Sequence, residues 1–257
     1  MTCQAGSHNL SSMIPAQTQD SIEPQPVIRL CGHDLLPLAE GALWWAAQST
    51  LIVSDLHLEK GASYARGGQF LPPYDSTATL ARVERLVREK RPRQVISLGD
   101  SFHRRDSAAR LSDDMVARIR ALTAQVDWHW VEGNHDPDPP EHLGGTPCKT
   151  LHLGRLVFRH EPSGEKGEVA GHLHPVARLA GRGKRLRRRC FVSDGNALIL
   201  PAMGAFTGGL NVTEQPFADV LSPNRQVFLL GQTRTYQVPA SRLVPDRAQK
   251  PVWRFQG

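Results

Sequence analysis

The sequence lacks the features that would place it in a membrane or in an oxidising compartment. No apolar run in its 257 residues reaches the roughly 18 to 20 residues that a membrane-spanning helix needs. Its four cysteines are scattered and form no CxxC pair, which favours free thiols over a disulfide framework or a zinc site. The N-terminal stretch has neither a basic region nor an apolar core, so it is not a secretory signal. We therefore expect a cytoplasmic protein with no membrane association.

The composition is typical of a globular protein, with 40% hydrophobic and 22% charged residues. Residues 1–26 are rich in Ser, Gln and Pro, which predicts a flexible leader. No linker rich in Pro and Gly divides the remainder, so residues 27–257 are predicted to form one domain that can bury a substantial core. The sequence pattern that indicates helices and strands is weakest in the tail after about residue 212.

Apolar strands that alternate with helical patterns predict a mixed α/β fold built in layers. Strands are predicted at 51–53, 95–98, 156–158 and 197–200, and Val126, Trp128 and Trp130 alternate with polar neighbours in another. Apolar residues recur at helical spacing within 74–92 and 111–125. Asp75 or Ser76 is suited to cap the first helix and Ser112 the second.

Most of these strands are followed by polar side chains. In chain order these are Asp55-x-His57, Gly99-Asp100, Gly133-Asn134-His135-Asp136, His160 and Gly171-His172-x-His174. Any one block alone is weak, because a single histidine beside a strand is more often structural than a ligand. Together they offer oxygen and imidazole ligands without thiolate, a set that suits Mn, Fe, Zn or Co. They also fall at the carboxyl ends of strands, where open α/β sheets bind ligands.

The order D-x-H, GD, GNHD, H and GHxH is similar to the signature of the calcineurin-like metallophosphoesterases. The resemblance implies a β-sandwich flanked by helices, an αββα arrangement, with two divalent metal ions at its edge. It also implies seven metal ligands: Asp55, His57 and His174 for one ion, Asn134, His160 and His172 for the other, and Asp100 bridging both. His152 is the nearest competitor of His160, but "RHEP" following an apolar strand favours His160.

The resemblance also implies roles for the two remaining residues of the GNHD block. His135 would face the substrate and stabilise the transferring phosphoryl group or protonate the leaving oxygen. Asp136 would hold the His135 ring in its productive tautomer. Two divalent ions carry four positive charges, of which Asp55 and Asp100 offset two, so the remainder suits a bridging hydroxide and one phosphodiester anion.

Further segments resemble the ligase-associated DNA damage response endonucleases, a bacterial branch of these enzymes, over roughly residues 27–212. The segments are SDLHLEKGASYARGGQFLPPYD, LGDSFHR, GNHDP, RHEP, AGHLHPVARL, RGKRLRRRCF and PAMGAFTGGLNV. This resemblance implies a phosphodiesterase or endonuclease that uses manganese, acts on DNA in repair, and works beside a ligase, a helicase and an exonuclease.

The candidate DNA contacts are basic or polar side chains near the metal motifs. The run RGKRLRRR at 182–189 follows His174 closely, so its arginines are placed to track phosphates, although such a run is also typical of a solvated hairpin. The candidates are Lys60, Tyr64, Arg66, His103, Arg187, Arg188 and Arg189. Two other functions stay open: a phosphoesterase acting on a nucleotide, cyclic nucleotide or pyrophosphate, and a non-catalytic nucleic-acid-binding protein.

Overall fold

Two β-sheets packed face to face, with helices on their outer faces, make up the fold. The computed structural model describes residues 24–59, 75–104, 107–138, 141–179, 186–205 and 207–246. Within these ranges the helices are α1 (Asp75–Lys90), α2 (Asp113–Gln125) and α3 (Gln215–Val220). Short 3-10 turns occupy Ala46–Gln48, Ala108–Arg110, Glu141–Leu143 and Ala240–Arg242.

The first sheet follows the chain from one edge to the other. Its strands are antiparallel from β1 to β4 and parallel from β4 to β7, because helical crossovers join β4, β5 and β6. The carboxyl ends of the parallel strands β4 to β7 therefore meet at one edge of the sheet. The strands are β1 (Ile28–Leu30), β2 (His33–Pro37), β3 (Leu43–Trp45), β4 (Thr50–Val53), β5 (Gln94–Leu98), β6 (Asp127–Val131) and β7 (Thr146–Cys148).

The second sheet has the order β15-β14-β12-β13-β10-β9-β8, and β11 pairs with the first half of β12. The pairs β9–β10 and β10–β13 are parallel, so β9, β10 and β13 run in the same direction. The strands are β8 (Leu151–Leu153), β9 (Leu156–Phe158), β10 (Glu168–Ala170), β11 (Val176–Leu179), β12 (Leu186–Ser193), β13 (Ala197–Ile199), β14 (Gln226–Leu230) and β15 (Thr235–Val238).

Three apolar layers hold these elements together. Between the sheets, Ile52 and Leu98 of the first sheet pack with Phe158, Leu198 and Phe228 of the second. Outside the first sheet, the strand residues pack under α1 and α2, and Trp128 and Trp130 are among them as their alternation predicts. Outside the second sheet, α3 packs through its buried phenylalanine. The predicted αββα sandwich is confirmed, with a thinner outer layer on the second sheet.

One of the two predicted helix caps forms in the structure. The Ser112 hydroxyl accepts a hydrogen bond from Met115 N at 3.3 Å and caps α2 as predicted. Ser76 instead lies inside α1, and its hydroxyl accepts the backbone N–H of Glu59 at 2.7 Å. This contact ties the helix to the loop after β4. The tail after residue 212, which had the weakest sequence pattern, supplies α3, β14 and β15.

Within the part of the chain that the structure describes, no helix has both the length and the apolar character that a bilayer crossing requires.

Candidate metal centre

The seven predicted ligands come together at one edge of the sandwich. Asp55, Asp100 and Asn134 follow β4, β5 and β6, which are parallel neighbours in the first sheet. His160 and His172 follow β9 and β10, which are parallel neighbours in the second. The carboxyl ends of both groups therefore contribute to one site, as the strand-end pattern predicts.

The backbone of this site is held in an unusual conformation. Five of the seven residues have positive φ angles in the left-handed region, a backbone conformation that residues other than glycine rarely adopt. The angles are 52° for Asp55, 45° for His57, 47° for Asp100, 66° for His172 and 45° for His174. Each such residue costs on the order of 1–3 kcal/mol and persists only where its surroundings fix it. Such concentrated strain is typical of a functional site.

The first cluster consists of Asp55, His57 and His174. Asp55 Oδ1 lies 3.1 Å from His174 Nε2, and the Nε2 atoms of His57 and His174 are 3.2 Å apart. One ligand atom from each of the three residues falls within 4.8 Å of the others. Two imidazole nitrogens and a carboxylate oxygen converging on one point form a suitable donor set for a divalent cation.

The second cluster contains Asn134, His160 and His172. Asn134 Oδ1 lies 2.9 Å from His160 Nε2 and 3.1 Å from His172 Nδ1. The backbone carbonyl of Leu98 accepts a 2.8 Å hydrogen bond from His160 Nδ1, which leaves Nε2 to face the cluster. His152 lies exposed on β8, so the structure brings His160 into the site and leaves His152 outside it.

Asp100 lies between the two clusters. Its Oδ1 is 3.4 Å from His160 Nε2, and its Oδ2 is 3.9 Å from His57 Nε2. Asp55 also approaches the His160 ring, at 3.9 Å, but it meets Nδ1, the nitrogen engaged with Leu98. Asp55 makes its shortest contact in the first cluster, and one ligand atom each of Asp55, Asp100 and His160 also lies within 4.8 Å of the others. Asp100 is the carboxylate whose two oxygens approach different clusters.

The electrostatics of the site demand positive charge. Burial raises the pKa of Asp55, but the hydrogen bond from His174 and the neighbouring imidazoles outweigh it and lower the pKa to about 2. Burial lowers the pKa of His160, but its hydrogen bond to Asp100 and the charges of both carboxylates outweigh that and raise it to about 9. Two charged carboxylates thus hold a proton on His160. A divalent cation would replace that proton, so the residues present fit a metal site.

Asp136 has a role other than the one expected. Its buried carboxylate accepts the backbone N–H of Asp100 at 2.8 Å and that of Phe102 at 3.0 Å. The expectation that it orients the His135 ring is therefore replaced: Asp136 fixes the loop that carries Asp100.

His135 itself lies on the open side of the site. Its ring stacks on that of His103, with centroids 5.8 Å apart and planes inclined by 21°. Its Nε2 is 3.9 Å from Asp100 Oδ2, and 44% of the side chain is exposed. His135 can thus reach both the ligand cluster and a molecule entering from solvent, and His103 lines the same side.

Two glycines of the motifs allow the loops to touch. A Cβ atom at Gly133 would run into the backbone nitrogen of Asp100 and into both carboxylates, Asp100 and Asp136. A Cβ at Gly171 would meet the Ser54 hydroxyl and would lie 2.6 Å from Asp55 Oδ2. The glycines flanking the ligand residues are therefore required by close contact.

The arginine run divides into separate roles. Arg187 pairs with Asp246 at 3.0 Å, and Arg189 donates to the carbonyl of Ala202 at 2.8 Å. Arg188 is exposed on β12. These contacts tie Arg187 and Arg189 to the protein itself, which differs from the expectation that all three track phosphates. Lys60, Tyr64 and Arg66 lie outside the described residues.

Sequence reasoning included the loop at 202–204 in the segment PAMGAFTGGLNV but gave it no role, whereas in the structure it supports the first cluster. The N–H groups of Met203 and Gly204 donate to the carbonyls of Ser54 and Asp55, both at 3.0 Å. Arg189 holds this loop from one side, and Arg82 of α1 donates to the Met203 carbonyl at 2.9 Å from the other. Arg82 had no distinguishing signal, because its spacing in the helix is that of an ordinary surface residue.

A β-sandwich with carboxylate, amide and imidazole ligands gathered at one edge, on strained loops, defines a metal-dependent phosphoesterase. Residues 49–202 match the model of the calcineurin-like phosphoesterase family. The chain belongs to this family, and it is a hydrolase acting on phosphoester bonds.

Solved structures extend the comparison. The chain is similar to the Pseudomonas putida nuclease MPE, with 33% sequence identity and a TM-score of 0.64, over 83% of this chain and 100% of that one. It also matches Yfce, a phosphoesterase from E. coli, at 16% identity and a TM-score of 0.38, over 74% of this chain and 97% of the other. That second likeness is too weak to support an argument. No curated protein matches the chain.

Proposed function

We propose that this protein is a phosphodiesterase with two divalent metal ions that cuts DNA internally and acts in DNA repair. We further propose that it works beside a ligase, a helicase and an exonuclease, as the family resemblance implies. The observation that carries the dinuclear mechanism is the position of Asp100, whose two carboxylate oxygens face different ligand clusters.

The donor set supports this proposal. Among the seven ligands only Asp55 and Asp100 are carboxylates, and the others are one amide and four imidazoles. Such a site stays positive when two divalent ions are bound, which favours an anionic substrate. Two bound ions would supply Lewis-acid activation of water and of the phosphoryl oxygens. Manganese is the proposed metal, and Fe, Zn and Co accept the same donors.

The chain's own residues would position the substrate. His135 would donate a hydrogen bond to the phosphoryl group or a proton to the leaving oxygen, a role supported by the position of its ring between the cluster and solvent. Asp136 holds the Asp100 loop, and loop 202–204 holds Asp55. DNA as the substrate is supported by the similarity to a nuclease and by the net charge of +6.

One activity panel tests the proposal. The protein loaded with Mn²⁺ is offered circular single-stranded DNA, linear duplex, nicked duplex, cyclic nucleotides and the chromogenic diester bis(p-nitrophenyl) phosphate. We expect cleavage of the chromogenic diester and of circular DNA, which has no ends and so reports internal cutting. Asp100→Ala is the matched control and should be inactive on every substrate.

The panel also separates the alternatives. Turnover of cyclic nucleotides with intact DNA would assign the protein to small-molecule phosphoesterases. Inactivity on every substrate combined with DNA binding would assign it a non-catalytic role. Substantial activity of Asp100→Ala with metal present would contradict the bridging position.

A further inference from the structure

An open groove of about 740 Å³ lies on the second sheet, and none of the described residues that line it is a predicted metal ligand. Arg188 and Arg189 line it together with the exposed ring of Tyr236, and apolar side chains such as Leu229 and Val238 complete its wall. The residues that line it, all within the described ranges, include no aspartate or glutamate. The groove is therefore cationic and has an accessible aromatic surface.

Strand register places the two exposed groups on one face. Cys190 pairs with Leu229, and Leu229 pairs with Tyr236, so these three side chains form one row across the sheet. Arg188 is two residues from Cys190 along β12 and projects from the same face. Two strand spacings across and two residues along separate Arg188 from Tyr236 by roughly 12 Å at the backbone. One extended ligand can contact both.

The chain connects the groove to the metal centre over a short distance. Ala177 follows His174 by three residues and pairs with Arg188 across the β11–β12 ladder. Three extended residues and one strand spacing together reach about 15 Å, which bounds the backbone distance from His174 to Arg188. Arg189, at the same end of the groove, contacts the loop that holds Asp55. This distance is short enough for one DNA strand to place a phosphate at the metal ions and another near Arg188.

The aromatic group is prepared for stacking. The Tyr236 ring is 48% exposed, and the guanidinium of Arg234 lies over it with 5.2 Å between Cζ and the ring centroid. This cation–π contact covers one face of the ring and adds positive charge near it, so a base would stack on the opposite face. An exposed aromatic ring beside arginines is the combination by which proteins hold unpaired bases and their phosphates.

We propose that this groove binds single-stranded DNA that flanks the scissile phosphate, with a base stacked on Tyr236 and a phosphate held by Arg188. The proposal rests on the proposed function, since it assigns a second contact to the same substrate. Single-stranded DNA fits the groove better than duplex because a base inside a duplex is stacked between its neighbours and has no free face for the ring.

The test compares a long substrate with a short one. The full-length protein loaded with Mn²⁺ cleaves an end-labelled single-stranded oligothymidylate or bis(p-nitrophenyl) phosphate, which is too small to reach the groove. Tyr236→Ala should lower kcat/KM for the oligonucleotide roughly 5- to 100-fold, mainly through KM, whereas Tyr236→Phe keeps the ring and most of the activity. Both variants should hydrolyse the small diester at the wild-type rate.

Arg188→Ala should weaken oligonucleotide binding and lower the slope of log KM against log salt by about 0.7, the value for one phosphate contact to a single strand. Arg29→Ala removes an exposed arginine on the first sheet and serves as the matched control. It should leave both the KM and its salt slope unchanged.

The possible results are distinguishable. If the wild type cleaves only the small diester, the proposed function fails before the groove is tested. If the wild type cleaves DNA and Tyr236→Ala does so equally well, the groove proposal alone is wrong. Equal losses on both substrates would also overturn it, because Tyr236 would then act through the fold. A larger effect on duplex than on single-stranded DNA would exclude the proposed ligand.

Discussion

Replacing Asp136 distinguishes the two roles that sequence and structure give this residue. In the structure its carboxylate, 4% exposed, accepts the backbone N–H groups of Asp100 and Phe102. Asp136→Ala leaves both donors buried without a partner. At about 1–3 kcal/mol for each unsatisfied group, the metal-free protein should lose about 2–6 kcal/mol of its free energy of unfolding. Asp136→Asn keeps one acceptor oxygen and should lose about half as much.

The assay pairs urea unfolding of the metal-free protein with calorimetric titration of Mn²⁺. Both are run at pH 8, because burial raises the pKa of Asp136 to about 7 and the carboxylate is charged above it. Since Asp136 anchors the loop that carries Asp100, both variants should also bind Mn²⁺ more weakly. Turnover of the chromogenic diester should fall in the same order as metal affinity.

His135→Ala is the control for this experiment. The His135 backbone N–H donates to Asp100 Oδ1 at 2.9 Å, and the variant keeps that bond while removing a ring that is 44% exposed. Stability should change by no more than about 0.5 kcal/mol, and two metal ions should still bind, while catalysis slows. If Asp136→Ala behaves in the same way, with unchanged stability and metal content, Asp136 orients the His135 ring and our reasoning fails.

Three further predictions concern the ligands and their supports. Asp100→Ala should reduce bound Mn²⁺ to fewer than two ions by elemental analysis; a full complement would refute the bridge. Arg189→Ala should destabilise the protein by about 1–3 kcal/mol in urea and weaken Mn²⁺ binding, because loop 202–204 holds Asp55. Similar losses in Arg188→Ala would contradict that assignment. His160 has a folded pKa near 9 against an ordinary 6.5, so its contribution to metal-free stability is present below 6.5 and lost as the pH rises through 9. The shift in Tm caused by Mn²⁺ should grow over the same window, and a constant shift would be evidence against a proton displaced from His160.

The sequence predicted the position of the site because the rule behind it is local and geometric. Each ligand follows an apolar strand, and parallel strands bring their carboxyl ends to one edge. The sandwich was predictable only through the family resemblance, since nothing local says that β9 and β10 face β4 and β5 across a common core.

Side-chain direction was harder to predict than position. Asn134, His135 and Asp136 are adjacent in sequence but face a metal cluster, the solvent side and a neighbouring loop. The direction of each is set by contacts to residues more than 25 positions away. Adjacency between His135 and Asp136 therefore suggested a contact that the fold does not make.

Which arginines of the run are available to bind phosphates was also not predictable from the sequence. In sequence Arg187, Arg188 and Arg189 are equivalent, and counting them predicts three phosphate contacts. On β12 the three differ in their contacts: Arg188 is exposed, whereas Arg187 and Arg189 bind groups of the protein itself. The partners of those two, Asp246 and the carbonyl of Ala202, come from distant parts of the chain that sequence spacing does not connect. Replacing Arg188 should thus change the salt dependence of DNA affinity far more than replacing Arg187, because Arg187 is already paired with Asp246 within the protein.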